Sequence, residues 1–300
     1  MVALGLCGVL IAAVAGTARA ESPATTRPAP GTWRIALLAD PHVSSNRRYS
    51  NYVDNFQRVI REVNDAHVDA VFIAGDLTQS FDTASADKFL ELMKGFRPHV
   101  WYVPGNHDVG NKPVNEKPAT VSDDRVSRFE KVIGPGYFAA DVAPGVRVIG
   151  ITSSLFDTKL SREAEQWTFL ESQLSQPRDG ITLLLTHYPV FVKAVDEPDD
   201  YFNIDRAVRP RLLELLRRGG VTAILSGHLH RPIDLTCDGI RMIGAPAISF
   251  GLPEGKQPVG WTLVTIDRDR HVTAELKYLD PQPSTRPSLP RGSELLKKPQ

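Results

Sequence analysis

The sequence predicts an α/β fold built on buried strands. Six short apolar runs rich in β-branched residues recur along the chain, at 34–39, 70–74, 99–103, 146–151, 181–185 and 221–225. Continuous rather than alternating hydrophobicity is typical of strands that are covered on both faces. Segments with helical spacing separate several of these runs, and such alternation of strand and helix is the signature of an α/β fold.

Two of the separating segments carry an apolar face at the spacing of an α-helix. The residues that form these faces are Tyr52, Phe56, Val59, Ile60 and Val63 in the first segment and Trp167, Leu170 and Leu174 in the second. Near the end of the chain, the runs 240–243 and 261–266 are predicted strands with little helix between them. We therefore expect part of the sheet to be antiparallel.

Composition and charge limit the classes of protein that this chain can be. The 300 residues are 42% hydrophobic and 23% charged, which is sufficient for a buried core and indicates a globular protein. There are 35 Lys and Arg residues against 35 Asp and Glu, so no overall positive field attracts nucleic acid, and no nucleic-acid partner is expected. The only two cysteines, Cys7 and Cys237, exclude a disulfide framework and a thiolate metal cluster. Any metal site must therefore use nitrogen and oxygen ligands.

The two ends of the chain differ in composition from the middle. Residues 1–20 are apolar and end in the small-x-small pattern of a cleavage site, which predicts a signal peptide and a periplasmic or secreted protein. An uncleaved N-terminal membrane anchor is the alternative; after cleavage no stable membrane span is expected. The Pro-rich segments 21–31 and 281–300 predict a flexible leader and a disordered tail. Residues 32–280 have the length of one α/β domain.

Five of the predicted strands are followed immediately by residues whose side chains can bind a metal ion. They are Asp40 and His42, then Asp76, then Asn106, His107 and Asp108, then His187, and finally His228 and His230. The loops at the carboxyl ends of strands line the ligand crevice in α/β sheets, so we expect these side chains to meet in one cleft. Each motif alone is weak, because such residues are also common in turns. His67, His99 and His271 do not follow strands in this way, and no ligand role is predicted for them.

This set of ligands suits two divalent ions and a phosphate. Asp40, Asp76 and one bridging hydroxide would offset about three of the four positive charges, which leaves a net charge near plus one. Asp76 can bridge the ions, while neutral imidazoles and the Asn106 carbonyl oxygen fill other positions. Two ions about 3.5 Å apart can hold the attacking and leaving oxygens of an in-line displacement and supply hydroxide near neutral pH. Mn, Fe, Zn or a mixed pair fits nitrogen and oxygen ligands.

Taken in order, these motifs resemble the calcineurin-like metallophosphoesterase superfamily. The motifs are Asp40-Pro41-His42, Gly75-Asp76, Gly105-Asn106-His107-Asp108, His187 and Gly227-His228-Leu229-His230. The resemblance implies a four-layer α/β/β/α sandwich of two mixed sheets around a dinuclear metal centre. It further implies one ion bound by Asp40, His42, Asp76 and His230, and a second bound by Asp76, Asn106, His187 and His228.

The resemblance also implies roles for residues beside the ions. His107 is similar to the family's non-ligand histidine, which contacts the substrate phosphate and protonates the leaving oxygen, and Asn106 is expected to contact substrate as well. Asp108 is a candidate to orient His107, with a helix-capping or loop role as the alternative. Segments 105–113, 199–203 and 226–231 most resemble the calcineurin-like phosphoesterase domain-containing protein 1 group, which acts on phosphorylated protein. We therefore predict hydrolysis of phosphomonoesters, on phosphorylated protein or small phosphoesters, by attack of a metal-bridging hydroxide.

Other functions use some of the same features. A phosphodiesterase acting on cyclic nucleotides or glycerophosphodiesters would need the same ligands, and a non-catalytic scaffold on this fold would be expected to lack some of them. A nuclease would be expected to carry a continuous basic surface for the nucleic acid, and the balanced charge of this chain argues against that function. The segment 190–203 is interpreted either as a rim that selects substrates or as a solvated acidic loop fixed by two buried aromatic residues.

Overall fold

The computed structural model describes residues 31–176, 178–254 and 256–279, in which strands and helices alternate. The strands are Trp33–Leu38 (β1), Ala70–Ala74 (β2), Val100–Val103 (β3), Phe138–Ala143 (β4), Val146–Gly150 (β5), Ile181–Leu185 (β6), Ala223–Ser226 (β7), Ile233–Cys237 (β8), Ile240–Gly244 (β9), Gly260–Ile266 (β10) and Val272–Tyr278 (β11). The α-helices are Ser50–Asp65 (α1), Thr83–Met93 (α2), Asn106–Val109 (α3), Asp123–Val132 (α4), Ser161–Gln173 (α5) and Arg209–Arg218 (α6), with short 3-10 turns at Arg47–Tyr49 and Ser153–Leu155. Every predicted strand is confirmed to within two residues at each end.

Three predictions concern residues outside these ranges. The signal peptide at 1–20, nearly all of the leader at 21–31, and the tail at 281–300 lie outside the described residues. Within the described ranges, no helix combines the length and the hydropathy that a membrane crossing requires.

The strands form two mixed sheets. Sheet 1 has the order β11-β10-β1-β2-β3, in which β1, β2 and β3 are parallel and β10 is antiparallel to both of its neighbours. Sheet 2 has the order β4-β5-β6-β7-β9-β8, in which the four central strands are parallel and both edge strands are antiparallel. The expected antiparallel portion is confirmed, although β9 and β10 belong to different sheets.

Helices cover the outer face of each sheet, which gives four layers. Along β1, Ile35 and Leu37 face a core shared by the two sheets, whereas Ala36 and Leu38 pack in the cluster that contains the apolar face of α1. A third cluster packs α5 and α6 on sheet 2. Because both faces of the central strands are buried, their sequences are continuously apolar. The predicted α/β/β/α sandwich is confirmed.

The parallel strands bring five loops to one edge of the sandwich. The loop after β1 runs beside the loop after β2, since the backbone N–H of His42 donates to the carbonyl of Asp76 at 3.0 Å. In sheet 2, the N–H of Gly227 donates to the carbonyl of His187 at 3.0 Å, which joins the loops after β6 and β7. Backbone hydrogen bonds thus fix the positions of the predicted ligands.

Candidate metal centre

The loops after β1, β2, β6 and β7 bring the predicted histidine and aspartate ligands together in two buried groups. The first group contains Asp40, His42, Asp76 and His230, and the second contains Asp76, His187 and His228. Within each group, one ligand atom from every residue lies within 4.8 Å of the others. The groups share one residue, Asp76.

The carboxylate of Asp76 faces both groups. Its Oδ2 lies 3.5 Å from His42 Nε2, and its Oδ1 lies 3.4 Å from His187 Nε2. The backbone N–H of His107 donates to Oδ1 at 2.8 Å and fixes the carboxylate in this orientation. Asp76 therefore offers one oxygen to each group, which suits a carboxylate shared by two ions.

Three of the histidines each have a backbone carbonyl on their outer ring nitrogen. These contacts are His187 Nδ1 to Ala74 at 2.8 Å, His230 Nδ1 to Phe250 at 2.7 Å, and His228 Nε2 to Tyr201 at 3.0 Å. A carbonyl can only accept, so the proton of each neutral ring lies on this outer nitrogen. The lone pair of the other nitrogen then points into the group, which is the usual arrangement of a histidine that binds a metal.

In the second group, the inner nitrogens of two histidines face each other without a proton to share, since His228 Nδ1 lies 3.1 Å from His187 Nε2. The carbonyl oxygen Oδ1 of Asn106 lies 2.9 Å from the same His187 Nε2. Lone pairs at these separations repel unless a cation lies between them, so this set of donors fits a metal ion.

The charges of the two groups lead to the same conclusion. Burial lowers the pKa of all four histidines, to about 4 in His230, so the rings are neutral near pH 7. Burial, and then the negative charge of Asp76, raises the pKa of Asp40 well above its ordinary value. Among the described residues, no Lys or Arg forms an ion pair with either carboxylate. Bound cations would supply the missing positive charge.

The backbone of the ligand loops is in an unusual conformation. Five ligands have left-handed φ angles, namely Asp40 (51°), His42 (46°), Asp76 (50°), His228 (69°) and His230 (51°). Each such residue costs on the order of 1–3 kcal/mol, and strain of this kind concentrates at functional sites. The hydrogen bonds between the loops maintain the strained conformation.

Glycines beside the ligands are required by space. A Cβ at Gly75, where φ is 84°, would lie 2.5 Å from His187 Nδ1. A Cβ at Gly105 would collide with the Asp76 carboxylate, and one at Gly227 would lie 2.6 Å from the carbonyl oxygen of Ala74. The glycine in each motif thus allows two ligand loops to approach closely.

His107 lies beside the first group without joining it. Its ring centroid is 4.5 Å from that of His42, and its Nδ1 donates to the carbonyl of Gln79 at 2.8 Å. Nε2 is therefore the ring atom left for a substrate. Sequence reasoning missed Gln79, because a backbone carbonyl carries no signal in the residue type.

Asp108 accepts its hydrogen bonds from the loops. Its carboxylate accepts from the backbone N–H groups of Leu77, Thr78 and Gly105 at 2.9 to 3.0 Å, and from the Thr78 hydroxyl at 2.9 Å. The carboxylate thus links the loop after β2 to the loop after β3. These contacts fit the loop role of Asp108, and its catalytic role stays a prediction.

The segment 190–203 lies against the second group through one residue. Tyr201 packs its ring 4.8 Å from that of His228, and its hydroxyl lies 3.2 Å from Asn106 Nδ2. The interpretation of this segment as an acidic loop fixed by two buried aromatic residues, Tyr201 and Phe202, is wrong. Phe202 is 38% exposed, and Tyr201 is only half-buried beside the ligands. Substrate selection by this segment stays a prediction. No signal in the sequence singled out Tyr201 or the Phe250 carbonyl as contacts of the ligands.

The fold and the two ligand groups define a metallophosphoesterase. Residues 34–232 match the family model described as calcineurin-like phosphoesterase, and the chain belongs to this family. The predicted family is confirmed, and its description agrees with the predicted class of enzyme, a metal-dependent phosphoesterase. The family uses a dinuclear metal centre.

Relatives fall into two kinds. The protein named serine/threonine-protein phosphatase CPPED1 of Danio rerio is 30% identical over 209 residues, which cover 65% of this chain and 64% of that protein. The 3',5'-cyclic adenosine monophosphate phosphodiesterase CpdA of Haemophilus influenzae is 24% identical over 265 residues, covering 82% of this chain and 90% of that one. The predicted similarity to the calcineurin-like phosphoesterase domain-containing protein 1 (CPPED1) group is confirmed, although the chain spans less than two thirds of the length of the CPPED1 proteins that it matches.

A solved structure shares the fold. The crystal structure of a dimetal phosphatase from Danio rerio superposes with a TM-score of 0.52 at 14% sequence identity. The match covers 81% of this chain and 98% of that one. At this identity the similarity concerns the fold alone.

Proposed function

We propose that this chain is a dinuclear metal-dependent phosphohydrolase that cleaves phosphomonoesters. The observation that carries the proposal is the shared carboxylate of Asp76, which faces two buried groups of ligand atoms at 3.4 to 3.5 Å. His107, which is outside both groups, lies next to this carboxylate. A proton donor beside two adjoining cation sites is the equipment that phosphoester hydrolysis requires.

In this proposal each ligand group holds one divalent ion. The first ion is held by Asp40, His42, Asp76 and His230, and the second by Asp76, Asn106, His187 and His228. Mn, Fe and Zn all suit these ligands. When bound, the two ions supply Lewis-acid activation of water and stabilise negative charge on the phosphoryl oxygens.

The chain's own contribution to the reaction is orientation and proton transfer. The Gln79 carbonyl fixes the proton of neutral His107 on Nδ1, so Nε2 is the atom that takes up a second proton and delivers it to the leaving oxygen. The Nδ2 of the Asn106 amide already donates to the Tyr201 hydroxyl, while its Oδ1 faces His187 Nε2 in the second group. Any contact of Asn106 with substrate would therefore be in addition to these contacts.

The relatives support a phosphomonoester as the substrate. The CPPED1 proteins are named as serine/threonine phosphatases, which favours a phosphorylated protein or a small phosphomonoester. A second candidate is a phosphodiester such as a cyclic nucleotide, because the match to CpdA covers 90% of that protein. Both reactions use the same ligands, so the substrate preference must be measured.

One experiment separates these functions. Purified protein is analysed for bound metal and assayed with an aryl phosphate and the corresponding bis-aryl phosphate. Two equivalents of metal and faster hydrolysis of the monoester are the expected result. Faster hydrolysis of the diester would establish the second candidate. Loaded protein that hydrolyses neither ester would contradict an enzymatic function.

The N-terminal sequence supports export of this enzyme. Cleavage after Ala20 would begin the mature chain at Glu21. Intact-mass measurement of the protein recovered from the periplasm or the medium tests the proposal. An uncleaved chain in the membrane fraction would instead establish the N-terminal anchor.

A further inference from the structure

The segment between β6 and α6 is firmly attached to the protein. Arg209 is fully buried, and its guanidinium donates to the carbonyls of Ile204 at 2.7 Å, Val195 at 2.9 Å and Glu197 at 2.6 Å. The amide of Asn203 donates to the Glu197 carboxylate at 2.7 Å. A segment fixed by this many hydrogen bonds can hold a side chain in one place.

Tyr201, in this fixed segment, contacts two residues of the second ligand group. Its hydroxyl accepts a hydrogen bond from Asn106 Nδ2 at 3.2 Å, and its backbone carbonyl accepts one from His228 Nε2 at 3.0 Å. One residue thus contacts both the amide ligand and one of the histidine ligands.

Each contact decides which atom of a ligand faces the group. A cation requires the oxygen of the Asn106 amide, so the NH₂ end must turn away and needs an acceptor, which the phenol oxygen of Tyr201 provides. A cation likewise requires the lone pair of His228 Nδ1, and the Tyr201 carbonyl holds the ring proton on the opposite nitrogen. The first ligand group has no contact with Tyr201 among the described hydrogen bonds.

We propose that Tyr201 is a positioning residue for the second metal ion, holding Asn106 by its hydroxyl and His228 by its carbonyl. This inference rests on the proposed function, because it assumes that the second group binds a metal. Residues that orient metal ligands typically change metal affinity by 10- to 100-fold when they are altered. Since only the second group is oriented by Tyr201, loss of its hydroxyl should weaken one ion and spare the other.

The test uses Tyr201→Phe, which removes the hydroxyl and keeps both the ring and the carbonyl. Metal-free full-length protein is titrated with Mn²⁺, and electron paramagnetic resonance distinguishes single ions from exchange-coupled pairs. We expect the first equivalent to bind as in the wild type and the second to bind about 10-fold to 100-fold more weakly. At saturating Mn²⁺, kcat should recover while KM stays unchanged, because in this proposal the phenol acts on the Asn106 amide and not on the substrate.

The matched control is Tyr102→Phe, which also loses a hydroxyl hydrogen bond, but one that involves no ligand. The Tyr102 hydroxyl donates to the carbonyl of Ile133 at 3.0 Å. This variant should bind both equivalents of Mn²⁺ as the wild type does. An equal weakening in both variants would mean that the effect is a general loss of stability, and would overturn the proposal.

A second substitution tests the mechanism itself. A carboxylate at position 106 presents oxygen at both ends and needs no orientation, so Tyr201→Phe should have little effect on Mn²⁺ affinity in an Asn106→Asp background. The same fold-loss in both backgrounds would show that the phenol does not act through the amide. Wild-type affinity for both ions in Tyr201→Phe would also overturn the inference while leaving the proposed function intact. Wild-type protein that binds fewer than two Mn²⁺ ions would overturn both.

Discussion

Among the residues that the structure describes, two places bring three or more aspartate and histidine side chains within 4.8 Å of one another, and they differ in burial and in hydrogen bonding. The paired groups around Asp76 are buried, whereas Asp267, Asp269 and His271 lie on the largely exposed turn between β10 and β11. On that turn, the ring Nδ1 of His271 contacts the carboxylate of Asp267 itself at 3.1 Å. In the cleft, the outer nitrogens of three histidines contact carbonyls, and their inner nitrogens remain available.

The comparison teaches that proximity alone does not make a metal site. Exposed carboxylates are stabilised by water and need no cation, whereas buried ones are unfavourable without a positive partner. An outward hydrogen bond also decides which lone pair a histidine offers. We therefore expect metal in the cleft and none on the turn.

The largest effect is expected for Asp76→Asn. This change removes the carboxylate that the two described ligand groups share, and with it charge stabilisation worth several kcal/mol in the transition state. At about 1.4 kcal/mol per tenfold, kcat/KM should fall by about 10⁴-fold, and bound metal should fall below two equivalents. Asp269→Asn, the matched change on the exposed turn, should alter neither value. If the turn variant lost metal instead, the distinction between the two places would be wrong.

The second-largest effect is expected for His107, which lies beside the metal ligands without being one of them. His107→Ala should retain both metal ions, because its ring lies outside both groups. General acid catalysis contributes about 10²- to 10⁴-fold, so turnover of an alkyl phosphate should fall by at least about 100-fold. Turnover of 4-nitrophenyl phosphate should fall much less, since that leaving group departs without a proton. A uniform loss on both substrates would argue against the role of proton donor.

Two ion pairs of this molecule differ in burial, and we expect them to differ in their contribution to stability. Lys112 and Asp205 form a buried pair that joins the loop after α3 to the segment before α6, whereas Lys94 and Glu91 are more than 70% exposed. Lys112→Met leaves a buried carboxylate unpaired, and we expect it to lower the free energy of unfolding by about 3–5 kcal/mol.

Lys94→Met is the control for this effect. Breaking an exposed pair should change the free energy of unfolding by no more than about 1 kcal/mol. Urea denaturation of both variants measures the difference. Equal losses in the two variants would show that burial does not set the value of these ion pairs.

The sequence predicted the ligand residues more completely than the strands and backbone contacts that hold them in place. Asp40, Asp76 and His187 were found because each follows a continuous apolar run, and the parallel strands bring such loops together. Strand β4 was not predicted, because an edge strand such as Phe138–Ala143 is only partly buried and lacks a continuous apolar pattern. The carbonyl of Tyr201 was not predicted either, because any residue type supplies the same atom and only the path of the chain places it.

The smallest expected effect concerns a hydrogen-bonding pattern that occurs twice, in which one glutamate carboxylate accepts from three successive backbone N–H groups. The carboxylate of Glu197 accepts from the backbone N–H groups of 192–194 in the segment that carries Tyr201, and Glu163 accepts from those of 157–159. Each substitution, Glu197→Gln or Glu163→Gln, weakens bonds to a charged acceptor, which should cost about 1 kcal/mol of stability at these partly exposed positions.

Only the first change should reach the metal centre. Glu197→Gln should increase amide hydrogen exchange at 192–194 and slightly weaken the second Mn²⁺ equivalent, because Tyr201 is then held less firmly. Burial raises the pKa of Glu197, but the backbone and Asn203 hydrogen bonds outweigh it and leave the pKa below its ordinary value. The wild-type contribution is therefore present above the ordinary glutamate pKa and is lost as the pH falls through the folded-state pKa. If Glu163→Gln weakened the second ion equally, the effect would come from global stability and not from the segment that contacts the ligands.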